Sequence, residues 1–435
     1  MAGMTRGSRS PDVAIVGAGS LGLMTALELA RRGVRPVILE RGPDVLSGCS
    51  SGSAGLLSPA HSTPLATPGA VREGLLHMLR RDSPFSMRPR PSLIPWLLRF
   101  MLAARGDRVR RGTELIRDFS FASLELHKEL VRQGLDTGLE VLGAINVYET
   151  EKAYVGGLAE AEDLSSHGIK AHVMTADEAR TFEPALSDAI VGGVYYPEEA
   201  QCDPERFMLA VADAAVEAGA ELCTRAEVLD ATVSGGRVVR LVTTIGEIRP
   251  GQVVVANGAW TAELSRRLGL PIPVQGGKGY HVDLTPSEGD PAVPVYLQEA
   301  RVIATPYANR LRLAGTLQLT GLSMRMDQVR VRATVRSGMR TLRGIEASRV
   351  TEVWRGIRPC TPDGLPILGR SERLANVVFA TGHAMKGLHL APETGRLIAQ
   401  VALDEPPTRD LTPFSPDRFR WGARGKQPTE DRRDG

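Results

Sequence analysis

The segment from Asp12 to Glu40, DVAIVGAGSLGLMTALELARRGVRPVILE, constrains the fold more than any other stretch of this sequence. It places Gly17, Gly19 and Gly22 in GxGxxG spacing between an apolar β-like run and an amphipathic helical run. Gly17 permits a tight turn, Gly19 lets a pyrophosphate approach the backbone, and Gly22 allows the helix to pack closely on the strand. Because the helix N-terminus also offers unpaired N–H groups and partial positive charge, the segment predicts a dinucleotide site.

Glu40 ends the second β-like run, 18 residues after Gly22. Its carboxylate is placed to accept hydrogen bonds from adenosine ribose hydroxyls, which discriminates against a ribose phosphate. Ser20 and Leu21 at the helix start, with Arg41 after the second strand, complete the predicted contacts in this segment. These residues do not distinguish NAD from FAD.

Apolar strand-like runs alternate with amphipathic helical runs along most of the 435 residues, which predicts an α/β fold. A chain of this length that is 42% hydrophobic exceeds one ordinary core, so we expect two domains, the second inserted into the first. Residues 228–258 read as a β-meander of the first domain. The predicted boundaries are 11–63, 187–270 and 350–410 for the nucleotide-binding domain, 64–186 and 271–349 for the inserted domain, and 1–10 and 418–435 for flexible tails.

Charge and cysteine content argue against two classes of partner. The sequence has 53 basic and 50 acidic side chains, and its net charge of +3 is too small to indicate nucleic-acid binding. The four cysteines show no CxxC spacing, so neither a metal site nor a disulfide framework is predicted. The first ten residues lack the apolar core of a secretory signal, and no apolar run is long enough to span a bilayer. A cytoplasmic location is therefore expected.

Small residues dominate the next segment, SGCSSGSAGLLSPAHS, where Ser50, Ser51, Gly55 and Leu56 can bring hydroxyls and backbone amides close to phosphates and a ring edge. This segment resembles the loop that follows the second strand in the D-amino-acid oxidase/dehydrogenase superfamily, the DAO family. Four later stretches resemble motifs of the same family, in family order: AQCDPERFMLAVADAAVEAGA, VVVANGAW, WRGIRPCTPDGLPILG and FATGHAMKGLHLAPETGRLIA.

The resemblance covers about residues 12–403. It implies a GR2-type, Rossmann-like FAD-binding domain and an inserted α+β substrate domain built on an antiparallel sheet. The segment PFSMRPRPSLIPWLLRF resembles bacterial D-amino-acid dehydrogenases, whereas GHAMKGLHLAPETG is closer to glycine oxidase. The subfamily therefore stays open.

FAD is the cofactor that the resemblance implies. Val228 is expected to present its backbone to the adenine, and Gly258 in VVVANGAW is expected to contact the cofactor as well. Near the ring we expect Gly382 and the backbone of the turn after it, where a helix N-terminus favours negative charge on the reduced flavin; the residues of this turn are Met385, Lys386, Gly387 and Leu388. Lys386 either adds positive charge there or faces solvent. Cys360 lies off the position of the flavin-linking cysteine of sarcosine oxidases, so noncovalent FAD is expected.

Arg358 in WRGIRPCTPDG matches the arginine that binds the substrate carboxylate in glycine oxidase. A guanidinium suits this role because it holds a carboxylate by two parallel hydrogen bonds. Arg355 is the alternative carboxylate ligand, and a structural ion pair of Arg358 is the competing explanation. Three further side chains are expected near the flavin or substrate: His383, Tyr280 and Tyr307. The substrate tyrosine of glycine oxidase falls on Ile303, which counts against glycine specificity.

The family mechanism implies oxidative deamination: the α-hydrogen of an amino acid, most simply a D-amino acid, passes as hydride to flavin N5, and the imine hydrolyses to a keto acid and ammonia. The alternatives are a glycine, sarcosine, D-proline or opine-type amine oxidase, as a subunit of a hetero-oligomer or alone, and a flavin- or NAD-binding regulatory protein without turnover. The electron acceptor is oxygen or a quinone, and the oligomeric state stays open.

The segment SMRPRPSLIPWLLRFMLAARGDRVRRG combines an apolar stripe with arginines. This composition fits a helix resting on the anionic inner face of a membrane, and it fits a core helix equally well. Contact with a membrane would favour a quinone as the electron acceptor.

Overall fold

The computed structural model describes residues 9–77, 85–87 and 90–419, so most of both predicted tails lies outside the described residues. Twenty strands fall within them: β1 (Val13–Val16), β2 (Val37–Leu39), β3 (Leu56–Leu57), β4 (Phe85–Met87), β5 (Ala144–Tyr148), β6 (His172–Thr175), β7 (Gly192–Tyr196), β8 (Ala200–Gln201), β9 (Glu221–Cys223), β10 (Val228–Ser234), β11 (Arg237–Thr243), β12 (Gly246–Ile248), β13 (Gln252–Val255), β14 (Gln275–Leu284), β15 (Val295–Leu297), β16 (Val302–Tyr307), β17 (Arg310–Leu319), β18 (Val350–Cys360), β19 (Ile367–Arg370) and β20 (Val377–Thr381).

The same residues contain ten α-helices: α1 (Ser20–Arg31), α2 (Pro68–His77), α3 (Ile94–Ala103), α4 (Gly106–Arg132), α5 (Glu151–Ser166), α6 (Ala176–Phe182), α7 (Pro204–Glu217), α8 (Thr261–Arg267), α9 (Gln328–Thr341) and α10 (Ala391–Ala402). None of these helices is long and apolar enough to cross a bilayer. Helices α1, α7 and α10 occur where the amphipathic runs of the sequence predict them.

The first of two large sheets has six strands in the order β19-β20-β13-β1-β2-β9. Every neighbouring pair is parallel except β19–β20. One face carries α1, α7 and α10, whose side chains share a core with the strands through residues such as Leu27, Phe207 and Ile398. The opposite face packs against α8 and the antiparallel meander β10-β11-β12. Strand, helix and strand therefore follow the predicted α/β order.

The second large sheet has nine strands, in the order β18-β14-β17-β16-β15-β5-β7-β6, with β4 paired beside β17. Its pairs are antiparallel except for β15–β5 and β17–β4. One face packs a core with α9, including Val282, Leu313 and Val331. The predicted antiparallel sheet is thus present, with two parallel pairings that the sequence did not reveal.

Two strands of the large sheet lie within the ranges that the sequence assigned to the nucleotide-binding domain. These are β7, which pairs with β5 and β6, and β18, which pairs with β14 along almost its whole length. The range that contains β18 was predicted to belong to the nucleotide-binding domain, but a continuous ladder of backbone hydrogen bonds ties most of this strand to the other sheet. The division of the chain into two domains at the predicted boundaries stays a prediction.

The turn between β1 and α1 depends on two glycines. Gly17 has φ +104°, and a Cβ built on it would lie 2.7 Å from the carbonyl oxygen of Ala256. A Cβ on Gly22 would lie 2.0 Å from the carbonyl oxygen of Gly17. Because both obstacles are backbone atoms, a side chain at either position forces the helix away from the sheet.

We expect Gly22→Ala to destabilise the protein by about 2–4 kcal/mol and to lower its flavin content, because an overpacked backbone contact cannot relax by rotating a side chain. Thermal unfolding and the absorbance of bound flavin measure the two effects. Gly156→Ala in α5 is the matched control, since no atom lies within 4 Å of the added methyl and alanine favours the helix. A Gly22→Ala protein as stable and as yellow as this control would contradict the packing role.

Candidate active site

A cavity of about 1460 Å³ runs from the β1–α1 turn to strands β16, β17 and β18. It is lined by most of the residues predicted for the cofactor and the substrate: Gly17, Gly19, Ser20, Leu21, Glu40, Arg41, Ser50, Leu56, Val228, Gly258, Arg358, His383, Met385, Lys386, Gly387 and Leu388. Six predicted residues are not part of the lining: Gly22, Ser51, Gly55, Gly382, Tyr280 and Tyr307. Segments far apart in the sequence therefore meet around one continuous space.

The β1–α1 turn opens onto this cavity. Gly19 caps α1 without a side-chain hydrogen bond. A methyl group on Gly19 would meet only the Oγ of Ser50, at 3.5 Å, so its backbone borders open space. A helix N-terminus with an accessible backbone suits the pyrophosphate of a dinucleotide.

Glu40 lies at the end of β2, beside the same turn. Its Oε2 accepts a hydrogen bond of 2.8 Å from the backbone N–H of Ala18, and its Oε1 accepts one of 2.7 Å from Gly42. The carboxylate is therefore fixed in place, with further lone pairs for ribose hydroxyls. Next to it, the guanidinium of Arg41 stacks 3.4 Å from the ring centroid of Trp260, and burial lowers the pKa of Arg41. Trp260, which also lines the cavity, lies in the VVVANGAW motif but was not predicted as a contact.

A chain of hydroxyl groups joins three segments of the site. The Oγ of Ser50 accepts a 3.1 Å hydrogen bond from the backbone N–H of Ser20, and the two hydroxyls lie 3.2 Å apart. The hydroxyl of Ser20 donates to the carbonyl oxygen of Gly387 at 3.1 Å. Ser51 differs from Ser50, because its hydroxyl donates to the carbonyl oxygen of Leu46 at 2.6 Å. It therefore stabilises the loop itself and does not take part in this chain of hydroxyl groups.

The turn before α10 follows the predicted sequence. Gly382 has φ +82°, and a Cβ on it would lie 2.6 Å from Cγ2 of Thr361. His383 is buried, and its Nε2 lies 2.9 Å from the hydroxyl of Thr394 in α10. Burial lowers the pKa of His383 to about 3, so the ring is neutral. The hydrogen bond of His383 thus ties the turn to α10, and His383 also lines the cavity.

Lys386 in this turn points inward. Its Nζ donates to the carbonyl oxygen of His61, and burial lowers the pKa of Lys386 to about 8 against the opposing effect of Glu199. The alternative of a solvent-facing lysine does not hold, because the side chain crosses to the loop after β3.

A buried polar cluster beside Lys386 was missed at the level of sequence. Ser58 donates to Oε1 of Glu199, which also accepts a 3.1 Å hydrogen bond from the backbone N–H of Ala60. Nδ1 of His61 lies 2.7 Å from the Oγ of Ser58. Burial raises the pKa of Glu199 to about 8 and lowers that of His61 to about 3. Ser58 and His61 belong to the quoted small-residue loop, but Glu199 comes from a turn about 140 residues later, so no local signal connects them.

Arg358 lies on β18 and faces the cavity. One guanidinium nitrogen donates to the carbonyl oxygen of Thr316 at 2.7 Å. Among the residues that the structure describes, no carboxylate lies within 4 Å of this guanidinium, so the structural ion pair considered above is not observed. Arg355, the alternative, also lines the cavity and donates from Nε to the carbonyl oxygen of Met324.

The two predicted tyrosines do not reach the cavity. Tyr280 is 1% exposed and donates to Gln318 at 3.2 Å, because the alternation along β14 turns it into the core with Val282. Burial raises its pKa to about 12. Tyr307 donates to the carbonyl oxygen of Ala54 at 2.8 Å, and a Cβ on Gly55 would lie 2.2 Å from its hydroxyl. The structure therefore places Tyr280 in the core and Tyr307 against Ala54, and it does not bring either tyrosine into the cavity lining, where their catalytic role was predicted.

One group of potential metal ligands occurs in the described part of the chain, formed by His281, Asp283 and Glu352. The carboxylate of Asp283 already pairs with Arg312 at 2.8 Å and with Arg310 at 3.2 Å. These arginines supply the positive charge that an ion would bring. We therefore interpret the group as a structural ion network, which also contacts the carbonyl oxygens of Ser51 and Gly52 in the small-residue loop.

The residues present fit an FAD. The GxGxxG turn and the fixed carboxylate of Glu40 suit the ADP half, and the cavity continues from them to the turn at Gly387 that the Ser20 hydroxyl holds in place. Cys360 is buried, and burial raises the pKa of its thiol to about 12. Noncovalent attachment stays a prediction.

Comparisons with known proteins agree with this geometry. Residues 12–401 match the model of the DAO family, described as FAD dependent oxidoreductase. The chain is 32% identical over 418 residues to a D-amino-acid oxidase of Bradyrhizobium diazoefficiens, covering 94% of this chain and 98% of the relative. It is 29% identical to a D-amino acid dehydrogenase of Paramagnetospirillum magneticum, with 94% and 98% covered.

Among solved structures, glycine oxidase from Geobacillus kaustophilus superposes with a TM-score of 0.77 at 27% identity, covering 95% of this chain and all of that one. An L-amino acid deaminase from Proteus vulgaris shares the fold, with a TM-score of 0.71 at 20% identity and 96% of each chain covered. The predicted fold class and the resemblance on which it rested are confirmed. With the glycine turn, the hydroxyl chain and these relatives together, the chain belongs to the DAO family of FAD-dependent oxidoreductases.

Proposed function

We propose that this protein oxidatively deaminates an amino acid, a D-amino acid in the first place, with noncovalent FAD as the cofactor. One observation carries the proposal: the guanidinium of Arg358 faces the cofactor cavity, and in the described structure no protein carboxylate pairs with it. A cation in this position suits the carboxylate of an amino-acid substrate. Two relatives that match over nearly the whole chain carry names of D-amino-acid enzymes, which supports the same substrate class.

The protein's part in this reaction is mainly positioning. FAD, when bound, supplies the acceptor for the two electrons and the α-hydrogen that leave the substrate. Arg358 holds the carboxylate and thereby fixes the direction of the Cα–H bond, while the cavity walls limit the access of water. The imine product then hydrolyses to a keto acid and ammonia. Because His383 is neutral, it adds no positive charge that would compete with Arg358 for the substrate carboxylate.

The secondary-amine alternative is not favoured, because the two relatives that match by sequence over nearly the whole chain are named as D-amino-acid enzymes. The site also differs from the glycine-specific pattern, since the aliphatic Ile303 lines the cavity at the position where the family resemblance places a substrate tyrosine. A regulatory protein without turnover remains distinguishable by experiment. Anaerobic bleaching of the yellow protein by a panel of D- and L-amino acids, D-proline, glycine and sarcosine separates these candidates.

Arg358→Ala is expected to lower kcat/KM for the best amino acid by roughly 30- to 1000-fold, about 2–4 kcal/mol, because a charge-assisted bidentate contact is lost. Steady-state kinetics measure this effect, and the absorbance of bound FAD reports retention of the cofactor. Arg355→Ala removes an arginine from the same strand and is the matched control. It should change kcat/KM by less than about threefold, because the proposal assigns the substrate carboxylate to Arg358. Equal losses in both variants, or a larger loss for Arg355, would reassign the carboxylate site.

We also propose that helix α3 rests on an anionic membrane surface, which makes a quinone the electron acceptor. This helix buries Trp96 and Phe100. One of its faces therefore packs in the core, which is the core-helix alternative given above. Four further apolar side chains of this helix are 47–54% exposed: Ile94, Leu98, Met101 and Leu102. Of these, Ile94 and Met101 also line the cavity, whereas Leu98 and Leu102 do not. Exposed arginines follow directly at the start of α4, at positions 105, 108, 110 and 111. An apolar row beside clustered cations suits anionic lipid.

The double variant Leu98→Ser, Leu102→Ser tests this contact without touching the cavity lining. We expect its partition onto vesicles of phosphatidylglycerol and phosphatidylcholine at low salt to fall by about tenfold, because two exposed leucines that would insert into the lipid are lost. Flotation of the FAD-loaded protein measures partition. Leu209→Ser, Val216→Ser on α7 removes two equally exposed apolar residues elsewhere and should float like the wild type. A wild-type protein that stays wholly in the soluble fraction refutes the proposal.

A further inference from the structure

Thr316 has a backbone conformation that its residue type disfavours. It lies within β17 with φ +62°, in the left-handed region that β-branched residues rarely adopt. The register between β14 and β17 shifts at this point, because Lys278 pairs with Gln318 whereas Tyr280 pairs with Gly315. Two residues of β17, Thr316 and Leu317, therefore lie opposite one residue of β14. This is a β-bulge, and it borders the cavity.

The bulge redirects one carbonyl group. In a regular antiparallel ladder the carbonyl oxygens point along the sheet to the neighbouring strands. At Thr316 the left-handed conformation turns the carbonyl, and its oxygen accepts the 2.7 Å hydrogen bond from the guanidinium of Arg358, two strands away. Among the described residues the hydroxyl of Thr316 is buried without a hydrogen-bond partner, so the backbone makes this contact.

Gly279, on the intervening strand β14, provides the floor beneath the same guanidinium. A Cβ on Gly279 would lie 2.3 Å from Cζ of Arg358 and 2.5 and 2.6 Å from its two terminal nitrogens. The guanidinium thus lies flat against Gly279, which has no side chain, and the carbonyl oxygen of the bulge binds one of its nitrogens. Because a guanidinium has five N–H donors in one plane, this contact fixes the plane and leaves donors for a carboxylate.

We propose that the Thr316 bulge is a positioning device for the substrate: its carbonyl orients the Arg358 guanidinium for two-point binding of the substrate carboxylate. This inference rests on the proposed role of Arg358. Thr316 acts through Arg358 and is not itself a catalytic residue. A strained conformation that is kept beside a ligand site is typical of such preorganised contacts.

Thr316→Gly tests the proposal. Glycine tolerates the left-handed conformation but no longer restricts the backbone to it, so the carbonyl loses its fixed direction. We expect the dissociation constant of propanoate, a carboxylate without an amine, to rise about fivefold, which is the size of effect that loss of one ordinary hydrogen bond produces. Titration of the FAD-loaded protein with propanoate, followed by the perturbed flavin absorbance, gives this constant.

Thr316→Val is the matched control. It removes the hydroxyl and keeps the branched side chain and the backbone restriction, so its propanoate affinity should stay within about twofold of the wild type. An unchanged affinity in Thr316→Gly, or an equal loss in Thr316→Val, would overturn the positioning role. Flavin content and the unfolding temperature of both variants show whether the fold is intact.

A double-mutant cycle separates this inference from the proposed function. In an Arg358→Ala background, Thr316→Gly should change propanoate affinity by less than about twofold, because the group that it orients is gone. A full loss in that background shows that Thr316 acts independently of Arg358 and overturns the inference alone. If Arg358→Ala by itself leaves propanoate affinity unchanged, the proposed carboxylate site fails instead.

Discussion

The close packing of α1 on the glycine turn is the constraint on which the cofactor site depends. A Cβ on Gly22 would lie 2.0 Å from the carbonyl oxygen of Gly17, so the helix N-terminus reaches the end of β1 only because neither residue has a side chain. This packing brings Ser20 within reach of Ser50 and Gly387. Loop, helix and C-terminal turn are therefore held in register by one backbone contact and a short chain of hydroxyls.

The large sheet brings the substrate end of the cavity to the same place. Strand β18 pairs with β14 over nearly its entire length and presents Arg358 where the turn at His383 also lies, as the bridge between Cys360 and His383 shows. A strand that belongs by hydrogen bonding to one sheet thus contributes its end to the site formed by the other. This arrangement explains how WRGIRPCTPDG, in a range predicted for the nucleotide-binding domain, supplies an arginine to the cavity although most of its strand is built into the second sheet.

The charges near the cavity follow from burial. Glu199 and Lys386 are drawn toward pKa values of about 8 from opposite directions, because each loses solvation and each is partly compensated by the other. His61 and His383 stay neutral for the same reason. Arg358 lines the same cavity, and no carboxylate among the described residues pairs with its guanidinium.

The sequence by itself determined the family and the fold class, and most of the site residues that it predicted do line the cavity. GxGxxG spacing, the acid at the end of β2 and the C-terminal turn are local patterns whose chemistry requires those residue types. Only the tertiary structure decided that Tyr280 and Tyr307 lie outside the cavity lining, that Glu199 joins Ser58 and His61, and that the carbonyl of Thr316 binds Arg358. Strand register selects which side chains share a face, and a bulge shifts that register. Neither leaves a mark in a single sequence that local reasoning can detect, since both depend on hydrogen bonds between residues far apart in the chain.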